Sequence, residues 1–130
     1  MLIPEAPKVA DMNDNLIPEA TYNIRCVKAD YVAIPKTADA KGAYVAARFV
    51  ITGPDVAEKM KGRMLFQNFT VVGDTFRLKE FLKMTGHGDD FVLSDTDALL
   101  GLECGAAVQT QKGTGGYSDK SVIGKFIPMV

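Results

Sequence analysis

The stretch "TYNIRCVKADYVA", residues 21–33, changes its periodicity midway. Its apolar residues alternate as Tyr22, Ile24 and Cys26, then slip one place and continue as Val27, Ala29, Tyr31 and Ala33. Successive side chains of a strand point to opposite faces, so a slip of one place without a turn signal marks one extra residue, a β-bulge. A bulge bends a strand, and a bent strand can serve two edges of a small closed barrel. The stretch therefore predicts a long first strand, bulged near Cys26 and Val27.

Downstream, "IPKTADAKG" (34–42) is a polar loop bounded by Pro35 and Gly42, and "GAYVAARFVITGP" (42–54) is a second strand. One row of that strand, Ala43, Val45, Ala47, Phe49 and Ile51, is wholly apolar. The other, Tyr44, Ala46, Arg48, Val50 and Thr52, carries a tyrosine and an arginine four places apart. "DVAEKMKGR" is a connection with room for a helical turn, and "RMLFQNFTVV" (63–72) is a third strand. In "GDTFRLKEFLKMTGHG" (73–88), Leu78, Phe81, Leu82 and Thr85 fall on one helical face, Asp74 or Thr75 stands at the N-cap, and Gly86 ends the helix. "SDTDALLG" reads as a short turn with Ser94 facing Asp97 at capping-box spacing. "LECGAAVQTQ" (102–111) and "KSVIGKFIP" (120–128) are the last strands, joined by the glycine-rich "KGTGGYSD". Five strands with one helix between the third and fourth is the connectivity of the oligonucleotide/oligosaccharide-binding (OB) barrel. The expected fold class is thus mainly β, a five-stranded OB-type barrel over residues 21–130, preceded by an extended arm over residues 1–20. The arm holds "LIPEAP" at 2–7 and "LIPEAT" at 16–21, two copies where a solenoid would need at least three.

At 130 residues the chain is one domain by length, and with 47% hydrophobic and 24% charged residues it has the composition of a globule. No run is long and apolar enough to span a bilayer, and the N-terminus lacks the features of a secretory leader, so a cytoplasmic location without a membrane partner is expected. Cys26 and Cys104 lie in apolar strands without a CxxC partner and read as buried free thiols. The net charge of −1 hides a division along the chain. Residues 21–63 carry eight cations against four anions, while residues 74–105 carry three against seven. The basic excess lies on the strands, so a positive face is compatible with an acidic whole.

With these elements in place, the chain resembles small phage-encoded single-stranded-DNA-binding proteins. The resemblance is carried by "IPEATYNIRCVKADY", "GAYVAARFVITGP", "KGRMLFQNFTV", "FRLKEFLKMTG" and "LLGLECGAAV", then a glycine-and-tyrosine loop before "VIGKFIP". It implies a barrel that coats single strands during phage replication or recombination. The sequence ends "GKFIPMV", without the acidic tail of bacterial relatives.

Catalytic readings find little support. His87 lies in a loop just past the helix stop, and Ser94 and Ser121 have no sequence-visible partner for nucleophilic work. Asp89, Asp90, Asp95 and Asp97 miss the calcium-loop spacing, and "GTGG" has no GK[ST] after it. No enzyme activity, cofactor or metal is expected. A sequence-tolerant single-strand binder needs aromatic faces for bases and cations for phosphates. In an OB-type barrel these come from strands two and three and the loops joining strands one to two and four to five. Tyr44 and Arg48 stand on the second strand, Lys36 and Lys41 on the first loop, and Lys112, Tyr117 and Lys120 on the other. Arg63 is a candidate phosphate contact at the third strand. Phe66 and Phe69 have opposite parity, so one faces outward unless a bulge at Gln67-Asn68 brings them together; Phe66 is taken as the candidate. The expected partner is single-stranded DNA, with self-association into a homo-oligomer left open. The competing reading is a small barrel for protein contact, a phage structural or adapter module, with Tyr44 and Arg48 as anchors.

Overall fold

The structure, a computed structural model, describes residues 1–6, 8, 16–33 and 42–130. Five strands form one antiparallel sheet: β1 (Ala20–Val32), β2 (Tyr44–Gly53), β3 (Met64–Thr70), β4 (Glu103–Gln111) and β5 (Lys120–Ile127). The helix α1 (Phe76–Met84) lies between β3 and β4, and short 3-10 turns occupy Asp55–Met60 and Thr96–Leu99. No described helix is long and apolar enough to cross a membrane.

The bulge falls where the periodicity slips. Cys26 pairs with Phe49 and Lys28 with Arg48, leaving Val27 as the extra residue. Before it, Tyr22, Ile24 and Cys26 are buried. The second apolar row behaves differently from the first, since Val27 and Tyr31 remain 41% and 59% exposed. The cause is pairing: β1 lies against β4 only from Ala20 to Arg25, whereas its pairing with β2 runs on to Val32. Beyond the bulge, β1 is paired on its β2 side only, while β2 goes on pairing with β3.

The inner row of β2 is buried as its pattern requires, together with Leu65 and Phe69 of β3. Four phenylalanines join the inner face into a single cluster: Phe49 of β2, Phe69 of β3, Phe81 of α1 and Phe126 of β5, with ring centroids 5.1 to 6.2 Å apart. All four are fully buried.

The strand order is β3-β2-β1-β4-β5, and the two outer strands share no backbone ladder. The sheet is therefore open where a closed barrel was expected. The physical reason lies in α1. The Phe126 N–H on β5 donates to Glu80 Oε1 at 2.7 Å, and the same oxygen accepts from Arg77 Nη1 at 3.1 Å. At this point the β5 backbone is satisfied from the helix, by a carboxylate only 10% exposed. Glu80→Ala should leave that N–H without its partner and cost about 1–3 kcal/mol, whereas Glu80→Gln, which keeps the acceptor, should cost clearly less. Urea denaturation of both variants checks this; equal losses would mean that the charge matters rather than the hydrogen bond.

Local signals held with two adjustments. Asp74, one of the two expected caps, accepts from the Phe76 N–H at 3.1 Å, and Thr75 makes no side-chain cap. Gly86, at φ +94°, ends α1 in a Schellman arrangement, with Gly86 N–H bonded to the Lys83 carbonyl and His87 N–H to that of Leu82. The turn at Thr96 is capped by Asp95, which accepts from the Asp97 N–H at 2.8 Å, and not by Ser94. In the second LIPEA copy, Ile17 is buried, its N–H donates to Ser121 Oγ at 2.7 Å, and Glu19 accepts from the Thr110 N–H. Both cysteines are buried free thiols.

Candidate nucleic-acid interface

The regular register between β2 and β3 decides the question of the two phenylalanines. Arg48 pairs with Phe66 and Val45 with Phe69, with no shift between them, so Phe69 faces the core and Phe66 faces outward, 62% exposed. Across three strands the outer face then reads as rows: Lys28, Arg48 and Phe66; Asp30, Ala46 and Asn68; Val32, Tyr44 and Thr70.

The first row is built around Arg48. Its guanidinium carbon lies 5.6 Å from the Phe66 ring centroid, within cation–π range, so the side chain lies across the sheet. Its Nε is shut off from solvent and has no hydrogen-bond partner among the described residues. Lys28 stands on the other side of Arg48, because the bulge at Val27 turns it to that face. Lys28 also sits 3.6 Å from Asp30. Tyr44 is half-buried one strand end away, and Ala46 leaves a low place between it and Arg48. Four residues of strand separate Tyr44 from Arg48 by about 13 Å.

The other expected contributors are distributed less compactly. Arg63 is half-buried at the entry to β3, its carbonyl accepting from the Ile51 N–H at 2.9 Å. Lys36 and Lys41 lie outside the described residues. The β4–β5 loop forms its own concavity of about 300 Å³, lined by Lys112, Tyr117 and Lys120 among others. Tyr117 is 82% exposed. Asp119 pins this loop, accepting from the Gly113 N–H at 2.9 Å and from Lys112 Nζ at 3.2 Å. The Gly113 N–H, then Lys112, hold the Asp119 carboxyl below its ordinary value, and part of the Lys112 charge is already answered within the loop.

The structure thus brings together Tyr44, Arg48 and Phe66 and adds Lys28, which the sequence reading left out. The signal was present: once the parity slip is accepted, residue 28 changes faces and lands beside Arg48. His87, far along the chain, packs on the Phe91 ring with centroids 4.2 Å apart and lies 3.0 Å from Thr85 Oγ1 through Nδ1. Asp89 pairs with Lys83, and no cluster of metal-ligating side chains occurs among the described residues. The chain matches no protein-family model and no curated protein.

Proposed function

We propose that the outer face of β1, β2 and β3 binds single-stranded nucleic acid, by base stacking and phosphate neutralisation, without catalysis. The carrying observation is the exposed Phe66 ring held against the Arg48 guanidinium beside Lys28 on an open sheet face. A ring with one free face offers a platform to any base, and cations next to it answer the phosphates, so the recognition is tolerant of sequence. The strand order and the helix between β3 and β4 support reading the sheet as an OB-type domain whose seam is filled by side chains. Read with the resemblance carried by the sequence, the ligand is single-stranded DNA and the setting phage replication or recombination in the host cytoplasm.

The test is fluorescence anisotropy with labelled oligo-dT and with a duplex of equal length. The expected result is tighter binding of the single strand and a log–log salt slope of about −2 to −3.5, as for three to five neutralised phosphates at the single-strand coefficient. Anisotropy that stays flat at low salt overturns the reading. It would leave the exposed Met64 and Phe66 as anchors for a protein partner.

A further inference from the structure

Beyond the bulge, β1 has a strand on one side only among the described residues. Residues 28–32 pair with β2, but the pairing with β4 stops at Arg25. Cys26 is the last residue whose backbone is engaged on the β4 side, its N–H bonded to the Leu102 carbonyl and its own carbonyl to the Gly101 N–H. From Val27 to Val32, no backbone group on that side has a backbone partner among the described residues. Val27 and Tyr31 are exposed along this edge.

The sequence of the edge is self-complementary. In "VKADY", residues 27–31, an antiparallel pairing of two copies centred on Ala29 sets Lys28 of each against Asp30 of the other. It also sets Val27 of each against Tyr31 of the other. Opposite charges and aromatic–β-branched pairs facing each other across a ladder are the favourable cross-strand combinations. Lys28 and Asp30 share the outer face, since they pair with Arg48 and Ala46 of the outer row of β2. Moving the centre by one residue is unfavourable in either direction, because Asp30 would then face Asp30, or Lys28 face Lys28. Edge strands carry charges that ordinarily repel a second copy, and here the two charges have the order that admits one.

We propose that two copies of this chain associate through the β1 edges, antiparallel about Ala29, in a two-fold dimer that joins the two sheets. The symmetry is isologous, so each contact occurs twice and each substitution is felt twice. This proposal is independent of any nucleic acid.

The experiment is light scattering and sedimentation equilibrium on the full chain without nucleic acid, with circular dichroism melts as a control for folding. The parent should be dimeric. Asp30→Lys sets lysine against lysine at both places, and Lys28→Asp sets aspartate against aspartate; each should weaken the dimer roughly tenfold or more. The double variant Lys28→Asp/Asp30→Lys restores opposite charges in the reverse order and should recover the dimer. A parent that stays monomeric at its highest soluble concentration overturns the proposal. So does a double variant, folded like the parent, that fails to recover the dimer, or a set of four proteins that all associate alike.

Discussion

Phe49→Ala is expected to destabilise the protein by about 3–5 kcal/mol, the range for removing a fully buried phenylalanine. Phe49 touches all three other rings of the cluster, at centroid distances of 5.3 Å to Phe81, 5.8 Å to Phe126 and 6.2 Å to Phe69. Its removal leaves a void whose walls belong to β3, α1 and β5, so collapse of any one wall disturbs the others. Against a total stability of about 5–15 kcal/mol for a domain of ordinary size, that loss is a large share. Urea denaturation should show a lower midpoint with an unchanged slope, the mark of lost stability without a changed unfolded state. A loss below about 1.5 kcal/mol would be that of a volume-conserving swap, and would mean that the cluster is not the centre of the core.

The second large effect concerns binding. Tyr44→Ala and Phe66→Ala should each weaken oligo-dT binding by about 1–3 kcal/mol, as when one base loses its platform. The two side chains stand about 13 Å apart along the sheet, so their effects should add, to about 2–6 kcal/mol in the double variant. Neither carries charge, and the salt slope should stay as in the parent. Arg48→Ala is the contrasting case, with the slope flattened by about 0.7 for one lost phosphate contact. If the double variant keeps the parent melting curve and the parent affinity, the outer face of β2 and β3 is not where the strand lies.

Much of this architecture was legible because its causes are local. The slip between Cys26 and Val27 is a property of neighbouring residues, and so are the Asp74 cap and the Gly86 stop. What escaped reading depends on approach in space. Closure of a barrel depends on whether two distant edges meet backbone to backbone, and no periodicity encodes Glu80 reaching the Phe126 N–H, 46 residues along the chain. The orientation of Phe66 is likewise a matter of register against β2, invisible within β3 alone. In the site, tyrosine and arginine on the outer row could be read from parity. Lys28 required following the bulge to its end, and the answering of Lys112 by Asp119 required the folded loop.

The unsealed seam between β3 and β5 has a geometric meaning for the face that β1, β2 and β3 present. A hydrogen-bonded closure ties strand number, stagger and tilt together, and so dictates the diameter and curvature of a barrel. Here the Phe69 and Phe126 rings meet across the seam, Glu80 of α1 bonds the β5 backbone, and ring packing has no register to conserve. No β3–β5 ladder therefore fixes the curvature of the outer face, and the bulge at Val27, which bends β1, is the local feature that bears on it. A change in that curvature would not require breaking a ladder between β3 and β5.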